Sequence, residues 1–278
     1  MPFARMSEVL QDARRNRYCV AAFCCHNFES VKIVINAAER SEAPVIVMLY
    51  PAMAAHVPLT TFASITRDLA AKSKSNVCLH LDHCDDFDFI IETMKAGFQS
   101  VLIDASKRDY EENVAMTKRV VGAAKEFGAD VEAELGFVGS AGNESDYMDD
   151  SKYTDPALAK RFAEETGISS LAVAVGNAHG NYKSAPKLDI KRIKELDLAA
   201  NVPIVLHGGS GIPDAQLTEA IANGITKLNL GTDYFKILYE SQRDYALTEN
   251  GNLFGLTKAM ETSGGAYAEG RIRLVSRR

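Results

Sequence analysis

The chain has 278 residues, 46% of them hydrophobic and 24% charged, the make-up of an ordinary globular protein with enough apolar material for a large core. Its formal net charge of −6 argues against a nucleic-acid surface, which needs clustered Lys and Arg to displace counterions, so no nucleic-acid partner is expected. No apolar run has the length of a membrane span, Met1 to Arg17 lacks the apolar stretch of a signal peptide, and the five cysteines include no CxxC pair, so a cytoplasmic protein with reduced thiols and no membrane partner is expected.

Short apolar runs of strand length alternate with longer stretches of helical spacing. In chain order a strand at Tyr18–Phe23 precedes a helix at Ser30–Arg40, and a strand at Pro44–Tyr50 precedes a helix at Pro58–Ala71. A third strand, Val77–Asp82, leads to a helix at Phe87–Ala96, and a fourth, Ser100–Asp104, to one at Glu111–Phe127. The fifth strand, Asp130–Leu135, is followed by a polar segment, Gly136–Tyr153, that reads as a long active-site loop, and then by a helix at Asp155–Glu165. Strands at Ser170–Val175, Pro203–His207 and Ile225–Leu230 follow, with helices at Asp189–Leu198 and Asp214–Ala222 between them. Gly97, Gly128, Gly167 and Gly224 stand where helices should stop in a left-handed turn. The tail Arg271 to Arg278 is locally basic and reads as a solvated C-terminus.

Eight βα units whose strands are apolar throughout predict an α/β fold, a single (β/α)8 TIM barrel over residues 1–278, close to the usual ~250 residues. An open doubly wound sheet would show the same alternation. The barrel is favoured because the polar residues collect where strands end, and a barrel gathers those ends on one rim.

Three of these ends carry a histidine: His83 in Leu79-His80-Leu81-Asp82-His83, His179 in Gly176-Asn177-Ala178-His179-Gly180, and His207 in Leu206-His207-Gly208-Gly209-Ser210-Gly211. Three imidazoles with an open fourth position make a catalytic zinc site. One histidine in a barrel is usually a hydrogen-bonded structural residue, and His80, inside its strand, is read as such; His26 and His56 read as loop residues. Asp82, beside His83, is placed to move a proton on a substrate hydroxyl, or alternatively to hold an imidazole. Asp104 and Glu134 bring two more carboxylates to the rim, able to bind a second cation or to orient the metal-binding histidines, or merely to cap the following helices. The turns Gly208-Gly209-Ser210-Gly211 and Asn229-Leu230-Gly231-Thr232-Asp233 follow strands seven and eight, where barrels commonly bind phosphate, although such turns are often only turns.

In this order the pieces resemble the class II, metal-dependent fructose-bisphosphate and tagatose-bisphosphate aldolases over almost the whole chain. The match runs through Ala22-Phe23 with Asn27, Pro44-Val45-Ile46, His80-Leu81-Asp82-His83, Ser100-Val101-Leu102-Ile103-Asp104, Glu132-Ala133-Glu134-Leu135-Gly136, Ala172 to Gly176 with His179-Gly180, and Leu206 to Gly211. The resemblance implies zinc held by His83, His179 and His207, with Glu134 and Asp104 near an alternative position for it or for a second divalent or monovalent cation. It implies Asp82 as acid/base on the C4 hydroxyl of a ketose bisphosphate, and Glu144, on the loop after strand five, as the group exchanging a proton at C3. Gly180, Gly208, Ser210, Asn229 and Thr232 would bind the dihydroxyacetone phosphate portion, and Asn27, Gly209 and Gly231 would also bind substrate. A homodimer or homotetramer is also implied. The chain departs from the family at five places: the loop Gly139 to Asp146 is two residues longer than usual, Gly231 replaces a common Asp, Asn177-Ala178 replaces Thr-Ser, Tyr50-Pro51 stands where Ser is frequent, and the segment Gly264–Arg278, where a second phosphate would be recognised, matches poorly. Three rival readings remain: a Schiff-base enzyme using Lys227, a metal-dependent hydrolase, and a non-catalytic aldolase-like subunit.

Overall fold

The computed structural model describes residues 3–248 and 251–276. Its strands are β1 (Val20–Cys24), β2 (Val45–Leu49), β3 (Val77–Cys84), β4 (Ser100–Ile103), β5 (Asp130–Leu135), β6 (Ser170–Val173), β7 (Ile204–Leu206) and β8 (Ile225–Leu230). The helices are α1 (Met6–Asn16), α2 (Phe28–Arg40), α3 (Leu59–Ala70), α4 (Phe87–Lys95), α5 (Tyr110–Phe127), α6 (Ser145–Met148), α7 (Pro156–Thr166), α8 (Ile190–Ala200), α9 (Asp214–Ala222), α10 (Thr232–Ala246) and α11 (Leu253–Val275). All neighbouring strands pair in parallel in chain order, and β8 closes on β1 with Val20 opposite Lys227 and Ala22 opposite Asn229. This is the predicted (β/α)8 barrel. The expected strands fall within a residue or two of the observed ones, where end residues always fray.

Strand alternation divides the core in two. Ala21 and Phe23 of β1, Val45, Val47 and Leu49 of β2, and Val77, Leu79 and Leu81 of β3 point outward into the layer shared with the helices. Val20, Ala22, Cys24, Ile46, Met48 and Cys78 point inward, where Met6, Leu10 and Ala13 of α1 close the N-terminal end of the barrel. Helix α1 is tied there by Arg5 and Ser7 to Asp130, and by Arg14 and Arg17 to Asp197. On β5 the inward positions are Asp130, Glu132 and Glu134, so the barrel axis carries charge as well as apolar side chains.

One expectation needs correcting. Arg271 and Arg273 are not a solvated tail but part of the last turns of α11, with Ile272 and Val275 each 1% exposed. Arg271 pairs with Asp214, Arg273 with Glu269, and the Val275 carbonyl accepts from the Cys19 amide, because the helix end packs across the entry to β1. Residues 277 and 278 of that segment lie outside the described residues.

Candidate active site

Two adjacent residues of β3 must face one cavity for Asp82 and His83 to act together, whereas a regular strand would send them to opposite sides. The strand solves this with an irregularity: its register against β4 shifts between Leu81 and Cys84, and His83 takes a φ of 25°. Such a bulge re-aims side chains, and left-handed backbone at a non-glycine residue is strain of the kind kept at functional sites.

The three histidines converge. Their ring centroids lie 4.8 Å apart for His83–His179, 4.5 Å for His83–His207 and 5.7 Å for His179–His207. One nitrogen from each falls within 4.8 Å of the other two, and His83, Asp104 and Glu134 form a second such cluster. Nε2 of His83 and Nε2 of His179 are buried without any hydrogen-bond partner, a costly arrangement for two polar atoms unless something occupies the space between them. His83 Nδ1 lies 2.8 Å from Asp104, so that in the neutral ring the proton on Nδ1 leaves Nε2 as the lone-pair nitrogen; burial would lower the His83 pKa, but Asp82 and Asp104 hold it above the ordinary value. The Ser106 amide and hydroxyl hold the other Asp104 oxygen. Burial, helped by the fields of the other two imidazoles, lowers the His179 pKa to about 4, so His179 is a neutral donor.

His207 differs. It is fully buried, with Nδ1 2.9 Å from Glu134 and Nε2 2.9 Å from Glu132. Burial alone would lower its pKa, but the two carboxylates outweigh it and lift it to about 9. Glu132 in turn accepts from the buried Lys227 ammonium at 2.9 and 3.0 Å. Burial would raise the Glu132 carboxyl, yet Lys227 and the histidines hold it far below the usual carboxylate range. His80, hydrogen-bonded to Ser100 at 2.8 Å, is pushed down to about 3 mainly by burial and by Lys227. It is the structural histidine that its place within β3 suggested. Lys227 is locked into an ion pair below the cavity and does not line it, so nothing here prepares it as a Schiff-base nucleophile.

Asp82 is 5% exposed, with one oxygen accepting from Asn229 at 3.1 Å and the other from the Cys24 thiol at 3.4 Å. Burial would raise its pKa, but His83, His207 and Lys227 bring it below the ordinary value. An ionised carboxylate is therefore fixed beside the imidazoles, ready to accept a proton.

These groups open into a cavity of about 440 Å³ at the C-terminal mouth, within the ~300–1,000 Å³ typical of small-molecule sites. Gly180, Gly208, Ser210, Asn229, Gly231 and Thr232 line it, together with Asp104 and Glu134. A wider groove at the N-terminal ends of the strands has no cluster of metal-binding groups among the described residues. Three predicted site residues stand elsewhere. Asn27 spends its side-chain oxygen on the Ser30 amide as the cap of α2, and Gly209 packs under Leu228 with its amide on the Asn229 carbonyl. Glu144 accepts from the Ser184 hydroxyl at 2.7 Å on the exposed side of the loop after β5.

Sequence reasoning gave no role to several residues that hold the site. Asn177 accepts from the Val175 amide and donates to the Val173 and His207 carbonyls, joining the two loops that carry His179 and His207. Tyr182 accepts from the Ala178 amide and donates to the Gly208 carbonyl. The loop after β5 clasps His179, whose amide donates to Gly139 and whose carbonyl accepts from Ala141. Glu132 could have been found, because strand alternation puts it on the same inward face as Glu134.

The family model described as "Fructose-bisphosphate aldolase class-II" matches residues 4–276. Among solved structures, the YdjI aldolase from Escherichia coli K12 is 33% identical, with 98% of this chain and 97% of that one covered at a TM-score of 0.89. A putative fructose-1,6-bisphosphate aldolase from Coccidioides immitis is 26% identical, with 98% and 96% covered at a TM-score of 0.85. The fructose-bisphosphate aldolase of Campylobacter jejuni, at 22% identity and a TM-score of 0.83, shares the fold. With its barrel, its trio of histidines and a match over nearly its whole length, the chain belongs to the class II fructose-bisphosphate aldolase family, lyases that in general depend on a metal.

Proposed function

We propose that this protein is a zinc-dependent aldolase that cleaves a ketose 1,6-bisphosphate of the fructose or tagatose type to dihydroxyacetone phosphate and an aldehyde such as glyceraldehyde 3-phosphate. The observation that carries the reading is the pair of partnerless, buried Nε2 atoms of His83 and His179, set beside His207 and next to an ionised Asp82. An all-nitrogen donor set of three imidazoles suits zinc, and His83, His179 and His207 would hold it, with Asp104 and Glu134 flanking a neighbouring cation position. When bound, such an ion supplies a Lewis acid that draws negative charge onto the ketone oxygen.

The chain's own residues do the rest. Asp82 takes the proton of the C4 hydroxyl; as the C4 carbonyl forms, the C3–C4 bond breaks and its electron pair passes to C3. Glu144, on the loop after β5, returns a proton at C3 once it leaves Ser184, which completes dihydroxyacetone phosphate. The phosphate of that half would lie against Gly208, Ser210 and the N-terminus of α10 at Gly231 and Thr232, where the helix dipole favours an anion. A homodimer or homotetramer belongs to the same reading, supported by the exposed Leu247, Leu253 and Phe254 where α10 gives way to α11.

The test is turnover by the purified, zinc-loaded protein across a panel of phosphorylated ketoses, with metal content assayed on the same sample. Cleavage that chelator abolishes, that Zn2+ restores and that borohydride does not trap is expected. A fully zinc-occupied protein that cleaves none of them contradicts the proposal.

A further inference from the structure

The aldehyde half of the substrate must be recognised away from the phosphate cradle after β7 and β8. In a closed barrel ordered β1 to β8, the strand farthest from β8 in either direction is β4. The loop leaving β4 carries Ser106 and Lys107, and both line the cavity, with Tyr50 from the loop after β2 and Phe137 from the loop after β5 beside them. Lys107 is the one Lys or Arg among the residues lining that cavity. The acidic groups that share the cavity are already engaged: Asp82 by Asn229 and Cys24, Asp104 by His83 and Ser106, Glu134 by His207. Lys107 itself makes no ion pair or hydrogen bond with a described residue, so its ammonium is the uncommitted charge at the mouth.

From this placement we propose that Lys107 is a specificity-determining residue, which pairs with an anionic group, phosphate or carboxylate, on the end of the aldehyde remote from the new carbonyl. The inference rests on the aldolase reading above and names its second substrate as a negatively charged aldehyde. An ammonium held on a long flexible stem makes a point contact to either anion rather than a fixed fork. Tyr50 and Phe137, which line the same cavity, add aromatic surface to it.

The experiment runs the reaction towards condensation, with dihydroxyacetone phosphate and three aldehydes: glyceraldehyde 3-phosphate, succinic semialdehyde and uncharged glyceraldehyde. Lys107→Met removes the charge at an exposed position where folding is not at stake, and Lys107→Arg keeps it. The expected result is a loss of about tenfold in kcat/KM for an anionic aldehyde with Lys107→Met, little change for glyceraldehyde, an unchanged KM for dihydroxyacetone phosphate, and recovery with Lys107→Arg. Whichever anionic aldehyde loses more identifies the natural anion. Equal effects on all three aldehydes, or none on any, overturn the proposal. Exchange of the C3 hydrogen of dihydroxyacetone phosphate with solvent needs no aldehyde, so its presence in a protein indifferent to Lys107→Met sinks this inference alone. Its absence, together with absent cleavage, sinks the aldolase reading and this inference with it.

Discussion

At the scale of single residues, the proposed mechanism separates groups that would handle protons from groups that hold geometry. Asp82 is braced by Asn229 and Cys24, so Asp82→Asn should keep fold and metal while turnover falls by about 10²–10⁴-fold, the usual worth of a positioned acid or base. Turnover and metal content measured on one sample check this; a variant that loses its metal would show Asp82 to be structural. His207 carries a proton in the metal-free protein up to a pH of about 9, and an imidazolium cannot be a ligand. Taking up Zn2+ at pH 7 should therefore release a proton, so affinity should rise with pH through the neutral range, level off above about 9, and weaken as pH falls. Calorimetry in buffers of different ionisation enthalpy reads the proton directly, and zero release would contradict the assignment. Glu132 balances the buried Lys227, so Glu132→Ala should cost roughly 3–5 kcal/mol by stranding an ammonium in the barrel. Denaturant unfolding measures that loss, and removing both charges with Lys227→Met and Glu132→Gln should restore much of it.

At the scale of elements, the bulge at the end of β3 and the turn after β7 decide where the site residues point. Gly208 has a φ of 64°, and a Cβ there would collide with the Ala178 carbonyl oxygen. Gly208→Ala is therefore expected to destabilise the protein by more than ~1 kcal/mol and to lower its metal content, because the displaced strand end carries His207. A variant with wild-type melting temperature and full metal would show that the turn has room to give. The loop after β5, read from sequence as an active-site loop, serves at least as the clasp on His179 through Gly139 and Ala141. Its polar composition announced a loop, but the clasp depends on backbone atoms, which composition does not encode.

At the scale of the whole molecule, barrel closure gives the site its concavity. Chain order brings β8 against β1 and sets the loop of β4, with Lys107, across the mouth from the loop of β8, with Gly231 and Thr232. No helix of the described residues is long and apolar enough to cross a membrane. The groove at the opposite end of the barrel is larger, yet among the described residues the clusters of metal-binding groups lie at the C-terminal mouth and none lines that groove.

The amino-acid sequence by itself determined the eight βα units, because hydrophobic periodicity and helix-stopping glycines are local properties. It also determined which histidines and carboxylates stand at strand ends, since a strand's polarity changes where it leaves the barrel. Only the tertiary structure decided that the neighbours Asp82 and His83 share a cavity, that Glu132 and Lys227 neutralise each other beneath His207, and that Asn177 joins the loops that carry His179 and His207. It also decided that Asn27 caps a helix while Lys107 faces the mouth. Those outcomes depend on contacts between segments as many as 95 residues apart and on one irregular φ, and neither is written in the periodicity of any single stretch of chain.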